Sequence, residues 1–168
     1  MDDITSEFAK EGTDAHALCE YKLNSLLGIK EEYSELEYYS NEMEKCANGY
    51  VAYISEVYEK LKSDHADPVV LVETRLDFSK YVPDGFETGD ALIDSDGTLN
   101  IIDYKHGKGV EVSAIDNSQM KLYALGALEL FDCLYDINKI VMTINQPRLS
   151  NISTFEITKD DVNGIIEV

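Results

Sequence analysis

Residues Thr88 to Lys105, TGDALIDSDGTLNIIDYK, hold the pattern from which the fold is read. Two apolar runs, Thr88 to Asp94 and Thr98 to Lys105, flank Ser95-Asp96-Gly97. Asp-Gly suits a two-residue loop that needs positive φ at both positions, so the stretch predicts a β-hairpin. If Ser95 pairs with Thr98, counting outward puts Asp90 opposite Asp103, with Cβ atoms roughly 4.5 to 5.5 Å apart. A three-residue loop with a bulge would shift that register by one. Like charges so close destabilise a sheet unless something positive lies between them. Lys105 lies two residues beyond Asp103 and shares its face, while Tyr104 points to the other. Two carboxylates and an ammonium therefore converge.

Working outward, Val69 to Phe78 follows the Asp67-Pro68 break and reads as a strand, and Tyr81 to Phe86 as a Pro/Gly turn. Towards the N-terminus, Ala15, Leu18, Cys19, Leu23, Leu26 and Leu27 give a helix capped by Thr13 and stopped near Gly28. A second helix is expected over Ser34 to Lys62, its acidic first half facing water. Beyond the hairpin, Asp116 to Phe131 is helical, with Asp116 and Gln119 placed as a capping box. Lys139 to Asn145 and Ile152 to Ile157 are strands, and Thr158 to Asp161 opens a last helix. The order αα-βββ-α-ββ-α predicts an α/β fold in which helices flank a mixed central β-sheet, as one domain over 1–168.

The chain has 168 residues, 44% of them hydrophobic, which is enough for one substantial core. There is no apolar run of the ~20 residues that a membrane helix needs, and the opening MDDITSEF has no secretory pattern. A soluble, cytoplasmic protein with no membrane partner is expected. Cys19, Cys46 and Cys133 are scattered and odd in number, which gives no disulfide framework or Cys-x-x-Cys site. Fourteen Lys and Arg against 33 Asp and Glu leave a net charge of −19, which argues against a nucleic-acid binder that uses its whole surface. The charge is uneven. Glu31, Glu32, Glu35, Glu37, Glu42 and Glu44 crowd one stretch, whereas Lys105, Lys108 and Lys121 balance Asp103, Glu111 and Asp116.

Paired carboxylates beside a lysine suit a hard divalent cation, Mg²⁺ or Mn²⁺, with a phosphate oxygen as a further ligand. Such a metal polarises a scissile phosphate, and Lys105 could orient water or stabilise charge developing on phosphorus. An isolated Asp-x-Lys is more often a surface ion pair, so its neighbours matter. His16 and Glu20, spaced i, i+4, share a helix face and could both reach a metal. Glu73, in the strand before the hairpin, is a possible acidic neighbour or an exposed strand charge. Gln119 and Tyr123 are again i, i+4 on the helix after Lys105, where capping and ordinary packing are the alternatives. Gly107-Lys108-Gly109 lacks the spacing of a phosphate loop and reads as a flexible turn near the site. Asp94-Ser95-Asp96-Gly97 lacks the later ligands of a calcium loop.

Taken in order, H-x-x-x-E at His16 to Glu20, Gly89-Asp90, D-Y-K at Asp103 to Lys105 and Q-x-x-x-Y at Gln119 to Tyr123 resemble the motifs of RecB-type exonucleases of the PD-(D/E)XK superfamily. The stretches Val72 to Asp77, Ile102 to Val110, Asn117 to Glu129 and Gln146 to Leu149 are similar to a phage and prophage branch of such nucleases. The resemblance covers nearly the whole chain and implies a restriction-endonuclease-like core. It implies that His16, Asp90, Asp103 and the Tyr104 carbonyl bind the metal, that Lys105 is catalytic and that Glu20 is a supporting acid. Gln119 and Tyr123 would contact nucleic acid or brace the site, with Lys108 and Lys121 nearby. Relatives usually carry Gly-Thr-x-Asp where this chain has Glu87-Thr88-Gly89-Asp90. They also extend further at both ends, which leaves open a core fragment of a longer protein or a degraded copy. Four-cysteine iron–sulfur branches do not match three scattered cysteines.

The expected function is metal-dependent hydrolysis of DNA phosphodiester bonds, as an exonuclease in phage recombination or end processing, with DNA and a phage recombination protein as partners. A non-catalytic interaction module on the same fold is the rival, for which the −19 charge is the best argument. An acidic DNA mimic rests on charge alone. Retention of both acids and Lys105 favours the enzyme.

Overall fold

The computed structural model describes residues 2–64, 67–131 and 134–166. Cys133 lies outside the described residues. Five strands form one sheet in sequence order: β1 (Val69–Asp77), β2 (Phe86–Ser95), β3 (Thr98–Tyr104), β4 (Lys139–Gln146) and β5 (Asn151–Thr158). Only β3 and β4 run parallel, and α3 (Ser118–Phe131) makes their crossover. With α1 (Asp2–Leu26), α2 (Asn41–Ser63) and α4 (Lys159–Ile166), the order is the αα-βββ-α-ββ-α expected from sequence, with a short 3₁₀ turn at Pro147–Leu149 added before β5.

The hairpin forms as its residues dictate. Ser95 pairs with Thr98, and Asp96 and Gly97 take φ of 47° and 82°, the double positive φ of a type I′ loop. Alternation then sorts the sheet. Leu99 and Ile101 join Leu92, Met142 and Ile144 under α3, whereas Ile102, Tyr104, Ala91 and Ile93 pack against α1 and α2. Each face buries its own apolar layer, and the sheet lies between them.

Helix starts depart from the sequence reading. α1 runs unbroken through Thr13, whose hydroxyl donates to the Ala9 carbonyl at 3.0 Å; it is an interior residue and not a cap. The stop at Gly28 is as expected. Gly28 has φ 79°, its N–H donates to Ser25 O, and Ile29 N–H donates to Asn24 O, which together form a Schellman turn. The second helix begins at Asn41 and not at Ser34, because Ser40 caps it by accepting from Met43 N–H. The acidic residues Glu31 to Glu37 thus lie in an irregular segment. Close like charges weaken a helix there, and tertiary bonds replace it: Asn24 donates to Glu31 at 2.7 Å and Tyr38 N–H to Asp14 at 2.8 Å.

The third helix begins at Ser118, and Asn117 Oδ1 caps it by accepting from Met120 N–H. The expected Asp116–Gln119 box is not formed. Asp116 instead takes φ 54° and pairs with Lys121. Before α4 a reciprocal cap does form, with Thr158 Oγ1 accepting from Asp161 N–H and Asp161 accepting from Thr158 N–H.

Candidate metal centre

β1 contributes a change of side that strand alternation does not anticipate. Leu71 and Leu76, positions of opposite parity, both pack on the α3 side. The change falls at Glu73, a non-glycine residue with φ 48°. Across the ladder Val72 pairs with Ala91 and Thr74 with Gly89, which leaves Glu73 and Asp90 opposite one another without pairing. On β2 the same switch occurs: a Cβ on Gly89 would meet Leu76 and Leu92 on the α3 side, three residues from Leu92 itself.

Asp90 is thereby freed from simple alternation. Regular pairing of β2 with β3 ends at Ala91 and Ile102, one step short of the Asp90–Asp103 position. The Asp90 carboxylate fills the gap: Oδ2 accepts from Tyr104 N–H at 2.7 Å and Oδ1 lies 3.2 Å from His16 Nδ1. The His16 ring is held edge-on to the buried Tyr104 ring, centroids 5.3 Å apart. His16, Glu73 and Asp90 each offer one donor atom, all within 4.8 Å of one another. One imidazole and two carboxylates at that separation are a donor set for a divalent cation.

Asp103, alternating with Ile102 and Tyr104, lies on the α3 side of β3, so it does not share a face with Asp90 as the hairpin register predicted, and Glu73 takes its expected place beside His16 and Asp90. Its buried Oδ2 is ion-paired to Lys105 Nζ at 3.0 Å and has no further hydrogen-bond partner among the described residues. Lys105 donates to Gln119 Oε1 at 2.8 Å, and Gln119 Nε2 donates to the Tyr123 hydroxyl at 3.0 Å. The spacings on β3 and α3 thus bring Asp103, Lys105, Gln119 and Tyr123 into one chain of contacts. Gln119 is free for this because Asn117 does the capping.

The charges are strained. Burial, then the Asp90 charge, pushes Glu73 up to about 7 and Asp103 up to about 6. Burial pulls His16 down, but its bond to Asp90 and the charges of Asp90, Asp103 and Glu73 outweigh this and leave it raised. Glu20 lines the same small recess as His16, Glu73 and Asp90, and burial with the Glu31 and Asp90 charges raises it too. A site where several acids hold protons upward is one that a cation would relieve.

Two basic residues are placed elsewhere. Lys121 is paired to Asp116 at 3.0 Å, and Lys108 lines a different recess, against α1. The loop read as a flexible turn is tied down. The buried Gln146 side chain donates to Gly107 O and Val110 O, both at 2.9 Å, and accepts from Val112 N–H at 3.0 Å. Sequence reasoning also passed over His106, which joins Tyr104 OH at 2.9 Å to Glu11 at 3.0 Å, with Arg148 bridging Glu11 and Glu42. Strand alternation could have placed His106 on the Tyr104 side; no local pattern marks Glu11 or Arg148.

Fold and site define an α/β protein whose mixed sheet sets Glu73 and Asp90, from the middle of β1 and β2, beside His16 of α1, with Asp103 and Lys105 at the end of the adjacent strand β3. Residues 1–167 match the family described as "Protein of unknown function (DUF2800)", and the chain belongs to that family. Among the described residues no helix is long and apolar enough to cross a membrane.

Proposed function

We propose that this protein is a divalent-metal-dependent deoxyribonuclease acting on DNA ends. The observation that carries the reading is the His16–Glu73–Asp90 donor set, all within 4.8 Å, with the buried Asp103–Lys105 ion pair on the adjacent strand β3. His16, Asp90 and Asp103 with the Tyr104 carbonyl would hold Mg²⁺ or Mn²⁺, and Glu73 adds a fourth side chain to that set. A bound ion of this kind supplies Lewis acidity toward a phosphate oxygen and acidifies water.

The chain's own residues supply the rest. Lys105, fixed by Gln119, presents an ammonium where charge develops on the phosphoryl oxygens, which lowers the barrier without reorganisation. Tyr123 holds Gln119, and Glu20 adds negative charge that favours the cation. Gln119 and the buried Tyr123 would thus brace the site, and Lys108 and Lys121, which lie outside the cluster, would meet nucleic acid only beyond it. Exonuclease action in phage recombination or end processing, in the cytoplasm and beside a recombination protein, is the context that the sequence resemblance favours.

The second reading is a non-catalytic interaction module, DNA mimicry included, and the −19 charge is what favours it. The deciding experiment is cleavage of end-labelled linear DNA against closed circles in Mg²⁺, Mn²⁺ and EDTA. Metal-dependent loss of label that Asp103→Asn abolishes is the expected result. Intact DNA in every metal would leave the interaction module in its place.

A further inference from the structure

Next to the acid–lysine site is a separate recess of about 450 Å³, within the usual range for a small-ligand pocket. Phe8 and Gly12 of α1 form one wall, and His106, Gly107, Lys108 and Arg148 the other. The recess shares no lining residue with the recess at His16, Glu73 and Asp90, but its walls stand on neighbouring stretches of the chain. Gly12 lies one helical turn before His16, and His106 follows Lys105 directly.

Three features describe what would fit. The polar groups at its back are committed: His106 bonds Tyr104 and Glu11, and Arg148 bonds Glu11 and Glu42. The Phe8 ring is 67% exposed. Gly12 sits in a helix interior without positive φ, and a Cβ there would meet nothing within 4 Å; the same holds for Gly107. Neither backbone conformation nor packing calls for glycine at these positions, and in α1 it lowers helix propensity. What the missing side chains do is keep the recess open. Lys108 and Arg148 line the slot with Glu11, but Arg148 is committed to Glu11 and Glu42 and the surface is mostly apolar, so a charged phosphate does not suit it. A neutral planar ring does.

We infer that the recess holds an unpaired nucleobase, stacked on Phe8, from the strand whose phosphate lies at Lys105. The inference rests on the nuclease reading and narrows it: the substrate is single-stranded DNA or a frayed end, because a base enters such a slot only after leaving its pair. Stacking, which is independent of charge, then supplies affinity that an acidic surface cannot draw from phosphates.

The test uses the full chain in Ca²⁺, with fluorescence anisotropy of three probes: a single-stranded oligonucleotide, the same strand with abasic sites, and a blunt hairpin duplex. The normal single strand should bind about 5- to 100-fold tighter than the other two. Phe8→Ala and Gly12→Leu, which removes the ring or fills the slot, should each erase that preference, and Leu130→Ala on α3 should leave it in place. Equal binding of normal and abasic strands, or a preference that survives both substitutions, overturns the base site even where DNA is cleaved. No binding and no cleavage in Mg²⁺ or Mn²⁺ overturns the nuclease reading, and the base site with it.

Discussion

Glu73 and Asp90 face one another across β1 and β2 where both strands change the side of the sheet they present. Glu73 takes a left-handed φ of 48° there, a conformation that costs on the order of 1–3 kcal/mol for a residue with a Cβ. What the kink achieves is placement. Asp90 reaches His16 on the α1 side while its other oxygen replaces a ladder partner for Tyr104 N–H. Without it, alternation would direct Asp90 to the α3 side with Leu92.

The raised acids set a pH dependence. Glu73 at about 7 and Asp103 at about 6 hold protons that the unfolded chain releases near pH 4, and His16 is raised as well. The folded state therefore binds more protons over this window, and stability falls as pH rises from about 4 through about 7. In EDTA the Tm should drop across that window more steeply for wild type than for Glu73→Gln/Asp103→Asn. Mg²⁺ or Mn²⁺ should flatten the wild-type curve, because it binds the deprotonated donors. Equal slopes for wild type and the double variant would contradict the assignment.

Lys105→Ala should keep metal binding by calorimetry and lose about 10²- to 10³-fold in kcat, since the ammonium acts on charge present only during reaction. Gln119→Leu should follow with a smaller loss, because it releases Lys105 without removing it. Metal affinity that falls in step with kcat would make Lys105 a structural partner of Asp103 instead.

Caps separate the observed helix starts from those expected on sequence. Ser40→Ala and Asn117→Ala should each cost about 1 kcal/mol in urea unfolding, because each removes an acceptor from a first-turn N–H. Thr13→Ala should change stability by less than about 0.5 kcal/mol, as an interior exposed position.

Gly97→Ala tests the hairpin loop. Its φ is 82°, and a Cβ would come within 2.8 Å of Asn138 Nδ2 and 3.0 Å of the Asp136 carbonyl. Strain and crowding together should destabilise by about 1–3 kcal/mol in thermal unfolding. A neutral result would mean that the loop readily adopts another turn.

The amino-acid sequence by itself determined the order of elements, the Ser95–Thr98 register, the shared face of Asp103 and Lys105 and that of Gln119 and Tyr123. These follow from local rules: Asp-Gly sets its own turn, alternation sets a strand face, and i, i+4 spacing sets a helix face. Tertiary structure alone decided that α1 starts eleven residues before Thr13, that α2 waits for Ser40, and that Glu73 joins His16 and Asp90. Those outcomes depend on partners far along the chain, such as Asp14 for Tyr38 N–H and Glu11 for Arg148. A kink that turns two neighbouring strands together depends on both of them at once, and no periodicity within either strand records it.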